Sequence, residues 1–251
     1  MMRVIGGAVV TGNSVHAAAA TDPLCPGIRL FVLDVDAAAA AGSGLAALLD
    51  DAERQDVARL AQPERRRRVG IARGALRAVL GASLGAPADG IPLVRDRLGR
   101  PSVVGVPDLT VSCSRSDGLA VFALARDATI GVDVEVVTAD RFPDAIADVV
   151  LAARERRTWD GIAPADRSWW LARAWTAKEA IVKALGCGFD VPPTSVDGAP
   201  PAGALTRPAW RRAHGERPWW LYEAAWRGSV ITVAAYGRPA PVDLVVAAPA
   251  T

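Results

Sequence analysis

Residues 129–137 read Thr129-Ile130-Gly131-Val132-Asp133-Val134-Glu135-Val136-Val137, and the alternation in this stretch decides how the chain is read. Successive side chains of a strand point to opposite faces, so Val132, Val134 and Val136 share one face while Asp133 and Glu135 share the other. The two carboxylates then stand roughly 7 Å apart along the strand. An apolar face so purely β-branched suits a central strand, whereas the plain reading of the acidic face is a polar row in water.

The text on either side of this strand has the same order of elements. Upstream, Ile28 to Val35 is a β-rich run, followed by helical spacing from Gly44 to Leu60 and from Pro63 to Leu80, with Pro63 as a first-turn proline and Gly81 and Gly85 at the end. The segment from Ile91 to Gly105 predicts strand, turn, strand around Gly99 and Pro101, and two β-rich runs, DLTVSCS and LAVFALA, complete the set. Downstream come helical stretches at Arg141 to Trp159 and Ser168 to Leu185. A Pro/Gly-rich loop from Val191 to Pro208 leads to the strands WWLYEAAW and SVITVAAYG. Strand, helices and hairpin-like strands, twice over, predict an α+β chain of two similar lobes, residues 28–128 and 129–243. They are flanked by an ill-ordered extension at 1–27 and a tail at 244–251.

Composition narrows the function classes. Half of the 251 residues are hydrophobic, enough for a real core, and the net charge of +2 excludes a polyanion-binding protein by bulk charge. Cys25, Cys113 and Cys187 form no zinc or disulfide spacing, and His16 and His214 lie in loop-like text, which argues against imidazole catalysis. The first residues make a poor secretory signal, and no apolar run reaches the roughly 18 residues of a membrane span, so a cytoplasmic protein is expected. The tryptophans Trp169, Trp170, Trp175, Trp219, Trp220 and Trp226 read most simply as packing residues.

The second informative stretch is Ser168 to Gly188, SWWLARAWTAKEAIVKALGCG, apolar nearly all round and therefore expected to be buried. Its charges Lys178, Glu179 and Lys183 are exceptions that need partners. Glu179 and Lys183 stand four apart on one helix face, where the plain reading is an ordinary ion pair of a few tenths of a kcal/mol.

Taken together, Gly131-x-Asp133-x-Glu135 and Trp175-Thr176-x-Lys178-Glu179-Ala180-x-x-Lys183-x-x-Gly186 resemble the signature of the 4'-phosphopantetheinyl transferases. The likeness is to the two-lobed type that activates surfactin synthetase and primes polyketide and peptide synthetases, and it spans most of residues 28–240. Gly99-Arg100-Pro101 stands where that family carries a turn beside the adenine nucleotide, and Arg68 where it has a phosphate-binding base. Ser112-Cys113-Ser114-Arg115-Ser116 occupies the place of the family's Ser-His-Ser segment, with either Cys113 or Arg115 in the histidine slot. The Asp117-Gly118-Leu119 that follows favours Arg115.

The resemblance implies a pseudo-two-fold between the lobes with the active site at their interface. It also implies transfer of the 4'-phosphopantetheine group of coenzyme A to a serine of an apo acyl or peptidyl carrier protein of fatty acid, polyketide or nonribosomal peptide synthases, releasing 3',5'-ADP. Asp133, Glu135 and Glu179 would hold Mg²⁺, with Mn²⁺ as the alternative, because hard carboxylate oxygens suit such ions. Glu179 would serve as base, Lys183 and Lys178 would steady the phosphates, and Arg68, Arg100 and Arg115 would join them in binding coenzyme A. The chain is expected to act as a monomer, with Arg154, Arg156 and Arg157 helping to dock an acidic carrier. Two rivals stand beside this reading: a metal-dependent phosphohydrolase acting on a nucleotide, and a non-catalytic relative that binds coenzyme A or a carrier.

Overall fold

The computed structural model describes residues 9–11, 14–16, 27–188, 191–214 and 217–249, so the expectation for 1–27 falls largely outside the described residues. The first strands are β1 (Val9–Thr11), β2 (Ser14–His16) and β3 (Ile28–Asp34), followed by helices α1 (Val35–Ala40), α2 (Asp51–Ala58) and α3 (Pro63–Leu84). Strands β4 (Leu93–Arg95), β5 (Pro101–Val103), β6 (Leu109–Ser116), β7 (Leu119–Arg126) and β8 (Ile130–Val136) come next. Helices α4 (Ala147–Val150), α5 (Ala153–Asp160) and α6 (Arg167–Leu185) precede β9 (Ala209–Arg212), β10 (Trp219–Trp226), β11 (Ser229–Tyr236) and β12 (Val242–Pro249).

Mixed α and β structure is thus present, with strands and helices in the predicted order. Gln62 caps α3 ahead of Pro63, and the helix runs through Gly81 to end on Gly85, whose φ of 65° is the left-handed turn that glycine takes without strain. Between Gly44 and Leu60 the single predicted helix is a 3-10 turn, Leu45–Leu48, and then α2, which begins where the Asp50 carboxylate accepts from the Glu53 backbone N–H.

The order of pairing is the same in the two main sheets. β3 lies antiparallel to β7, which pairs with β6; β8 lies antiparallel to β11, which pairs with β10. α3 covers one face of the first sheet through Ile71, Ala75, Leu76 and Val79 against Phe31, Leu33, Phe122 and Leu124. α6 covers the second through Ala177, Ala180, Ile181 and Ala184 against Leu221 and Ala234. The free faces meet: Leu30, Val32 and Val121 pack with Val132, Val134, Ile231 and Val233, all fully buried. The valine face of the opening motif is therefore the seam between two sheets, which turns Asp133 and Glu135 toward α6.

One boundary differs from the sequence reading. The last residues, expected as a tail, form β12, which returns to the first sheet and pairs parallel with β3 from Val242 opposite Ile28 to Ala247 opposite Leu33. β3 would otherwise present an open edge, and the unpaired backbone groups of that edge are what hold β12.

Candidate functional site

The site begins with a glycine. A β-carbon on Gly131 would lie 2.1 Å from the Ala180 carbonyl oxygen and 2.5 Å from the Ala184 nitrogen, so the absence of a side chain lets α6 press onto β8. On the same strand face as Gly131 stand Asp133 and Glu135, and on the facing side of α6 stand Glu179 and Lys183, one turn apart. Thr232 on β11, opposite Asp133 in the ladder, shares a hydroxyl–hydroxyl hydrogen bond of 2.9 Å with Thr176 and fixes the helix from the neighbouring strand.

β6 supplies the third wall. Its serines 112, 114 and 116 alternate onto one face and stitch the first sheet to β8. Ser112 Oγ accepts from the Val132 N–H at 2.9 Å, and Ser116 Oγ accepts from the Val136 N–H at 3.0 Å. Ser114 donates to Asp133 Oδ1 at 2.6 Å and Ser116 to Glu135 Oε2 at 2.7 Å. Lys183 Nζ lies 2.6 Å from Asp133 Oδ1 and 2.8 Å from Ser114 Oγ, while Asp133 Oδ2 is buried with no hydrogen-bond partner.

The two glutamates of this corner, Glu135 and Glu179, are held above the ordinary glutamate range by burial and by the neighbouring acids. Glu135 is pushed up from the usual glutamate range first by desolvation and then by Asp133, against the opposing pull of Ser116, Arg141 and Lys183. Glu179 is pushed up by desolvation, then by Asp133 and Glu135, with Lys183 opposing. Among the described residues no group of three acidic, Cys or His side chains stands close enough, as placed, to hold a metal ion. The donor chemistry nevertheless fits a hard divalent cation: the oxygens are anionic, they repel one another, and one of Asp133 is buried without a partner.

Beside the acids lies a cleft in two parts. The smaller, about 180 Å³, is lined by Leu98, Gly99, Arg100 and Pro101 opposite Glu179, Val182, Lys183 and Gly186. The larger, about 370 Å³, is cationic, with Arg73, Arg95, Arg115 and Lys183 around Leu98, Gly99 and Cys113. Arg73 Nη1 and Arg95 Nε are buried there without hydrogen-bond partners. Arg115 is held below the ordinary arginine value, by desolvation first and then, against an opposing effect of Cys113, by the cations Arg73, Arg95 and Arg65. Arg73 stands 3.5 Å from Asp56, Arg95 3.8 Å from Glu53 and Lys183 2.6 Å from Asp133, but none of these acids lines this part of the cleft, and the row of cations that does line it suits a polyphosphate.

Of the residues singled out in the sequence, Asp133, Glu135, Glu179 and Lys183 come together, and Arg100 and Arg115 line the adjoining cleft. Cys113 and Arg115 are two apart on β6, so both face the cleft and neither displaces the other. Lys178 is elsewhere. It is 1% exposed, and its ammonium is spent on Glu155 Oε2 at 2.5 Å and on the carbonyls of Pro193 and Val196 at 2.9 and 2.7 Å, which makes it a structural cation. Arg68 also turns away, holding Asp36 with two hydrogen bonds of 2.7 and 2.6 Å. Of the set expected to dock a partner, Arg154 pairs with Asp197 and Arg156 with Asp148, and Arg154 and Arg157 are both exposed.

Arg73 and Arg95 were not singled out in the sequence. Arg73 falls one turn before Arg77 on α3, but Arg77 is fully buried on Glu53 and Asp50, and helical spacing does not say which of the two arginines faces a cleft. The three serines at alternate positions of β6 were a legible signal, since period two puts them on one strand face.

Known proteins with the same sequence features supply the context. Residues 129–234 match the family described as the 4'-phosphopantetheinyl transferase superfamily. A curated relative, the 4'-phosphopantetheinyl transferase HetI of Nostoc sp. (strain PCC 7120 / SAG 25.82 / UTEX 2576), is 28% identical over 189 residues, 73% of this chain and 80% of the relative. The matched segment contains the β8 acids, the whole of α6, strands β9 and β10 and most of β11, but not β6. Residues 129–234 are thus similar to the 4'-phosphopantetheinyl transferase superfamily, and a longer part of the chain is similar to one curated transferase.

Proposed function

We propose that this protein transfers the 4'-phosphopantetheine group of coenzyme A to a serine hydroxyl of an acyl or peptidyl carrier protein, releasing 3',5'-ADP. The observation that carries the reading is the meeting of Asp133, Glu135, Glu179 and Lys183 at the mouth of a cleft lined by Arg73, Arg95 and Arg115. Lobes 28–128 and 129–243, related by a pseudo-two-fold, would place that cleft at their interface, with β12 completing the first. The cytoplasm and a monomeric state remain part of the reading.

Asp133, Glu135 and Glu179 would hold Mg²⁺ or Mn²⁺, which when bound neutralises charge on the phosphates. Glu179, on the α6 face that meets Asp133, takes the proton of the carrier serine. The serine oxygen then bonds to the phosphorus next to the pantetheine arm, and the bond from that phosphorus to the bridging oxygen breaks. Lys183 and the cleft arginines stabilise the negative charge that passes to the departing 3',5'-ADP. Arg100 and the turn around it would flank the adenine in the smaller part of the cleft.

The test combines the protein, Mg²⁺, coenzyme A and apo carrier proteins of fatty acid, polyketide and peptide synthases, read by intact mass. One phosphopantetheine group should appear on a carrier and 3',5'-ADP in solution. Turnover of coenzyme A without a carrier would instead favour the hydrolase reading, and tight binding without turnover the non-catalytic one.

Within this scheme Arg115 faces the 3'-phosphate. Arg115→Ala should weaken use of coenzyme A by roughly ten- to a hundredfold, chiefly in KM. It should also erase most of the wild-type preference over dephospho-coenzyme A; a preference that persists undiminished would remove Arg115 from that role.

A further inference from the structure

Arg141 lies on the loop that follows β8, next to the buried Phe142. Its guanidinium is divided between acids on opposite sides of the seam. Nη1 donates to Asp117 Oδ2 at 2.9 Å, and Nε stands 3.0 Å from Glu135 Oε2. Asp117 occupies the turn between β6 and β7 with a φ of 49°, so the hairpin of the first sheet holds this cation against an acid of the second. The Glu135 side chain is 17% exposed, so water screens the contact only in part.

As the side chains are placed, two cations hold two of the three acids: Lys183 sits on Asp133, and Arg141 sits on Glu135. Their situations differ. Lys183 lines both parts of the cleft, whereas Arg141 is 39% exposed, lines neither, and reaches Glu135 from the loop after β8. Arg141 also opposes the upward shift of Glu135, so it stabilises that carboxylate as an anion when no metal does.

We propose that Arg141 is a positioning residue that serves as a resident counter-cation for Glu135, and that a divalent cation binds by displacing its guanidinium, which Asp117 then retains. The proposal rests on the reading of Asp133, Glu135 and Glu179 as cation ligands. Any interaction that stabilises only the metal-free state lowers apparent metal affinity by the same free energy. Arg141 is such an interaction, and Asp117 weakens it by competing for the same guanidinium. The two residues therefore have opposite signs: loss of Arg141 tightens cation binding, and loss of Asp117, which leaves Arg141 wholly to Glu135, weakens it.

The experiment titrates the full chain with Mn²⁺ alone, without coenzyme A or carrier, and reads free Mn²⁺ by electron paramagnetic resonance. Arg141→Gln should bind Mn²⁺ roughly three- to tenfold more tightly than wild type, and Arg141→Lys should return most of the way toward it. Asp117→Asn should bind more weakly than wild type. A merely structural role for Arg141 does not produce tighter binding, so the sign is diagnostic. Glu135→Gln separates the two layers of the argument. If wild type binds no Mn²⁺, or Glu135→Gln does not weaken binding, the cation-ligand reading fails and the proposal with it. If Glu135→Gln weakens binding while Arg141→Gln leaves it unchanged or lowers it, the proposal alone is overturned.

Discussion

Charged residues in this protein are read correctly only with their partners. Lys178 and Lys183 lie on the same helix, yet one is enclosed with Glu155 and the other faces Asp133. Glu155 also accepts from the N–H groups of Ala152, Gly198 and Ala199, so it is fixed as a buried anion whose counter-charge is Lys178. Lys178→Met should therefore cost about 3–5 kcal/mol of stability, measured by denaturant unfolding, with KM for coenzyme A little changed in the folded fraction. A variant of wild-type stability with a large rise in KM would return Lys178 to the binding site. Glu179 has the opposite character. Its folded pKa is raised, so the folded state binds the proton more tightly than the unfolded chain, and stability falls as pH rises through that folded pKa. Metal-free Glu179→Gln should accordingly match or exceed wild type in Tm at neutral pH. The gap should close as pH falls toward the ordinary glutamate range, and transfer activity should drop by roughly 10²-fold or more. A neutral-pH Tm below wild type would contradict the picture of mutually repelling acids.

At the scale of elements, the chemistry depends on how closely α6 approaches β8. The strand fixes two carboxylates by its period of two, and the helix fixes Glu179 and Lys183 by its spacing of four, but neither pattern sets the distance between them. Gly131 does. A methyl group there meets backbone atoms of Ala180 and Ala184, which cannot rotate aside, so Gly131→Ala must move the helix. The expected cost is about 1–3 kcal/mol or more, with loss of transfer greater than the loss of folded protein accounts for. Thermal unfolding and activity on the same sample provide the check; full activity at wild-type Tm would mean that the close approach is not needed. The serine ladder of β6 works at the same scale, holding the seam through side chains where the two sheets share no backbone ladder.

Across the whole molecule, the chain closes on itself through β12. This strand leaves the second sheet's β11, crosses to the first and pairs with β3, whose other edge is taken by β7. Ending the chain at Pro241 removes that cover and exposes the backbone groups of Ile28–Asp34, a strand of mostly buried apolar residues. The truncated protein should melt at lower temperature and aggregate, with hydrogen exchange accelerated first in β3. Unchanged protection in β3 would show that β12 only decorates the sheet.

The sequence by itself determined what local periodicity can carry: the alternating acids and valines of β8, the buried text of α6 and the order of the elements. That Asp133, Glu135, Glu179 and Lys183 form one set was implied by the resemblance of the two motifs to a known signature, not by periodicity. Gly85 and Pro63 marked helix ends because their backbone preferences are local. Tertiary structure decided which cations face which anions. It gave Lys178 to Glu155 and Arg68 to Asp36, brought Arg73 and Arg95 to the cleft, set Arg141 between Asp117 and Glu135, and turned the expected tail into β12. The physical reason is the same in each case. A side chain's charge is written in the sequence, but its partner is whatever distant segment the packed sheets and helices carry within a few ångströms, and an edge strand is held by a partner's unpaired backbone rather than by its own composition.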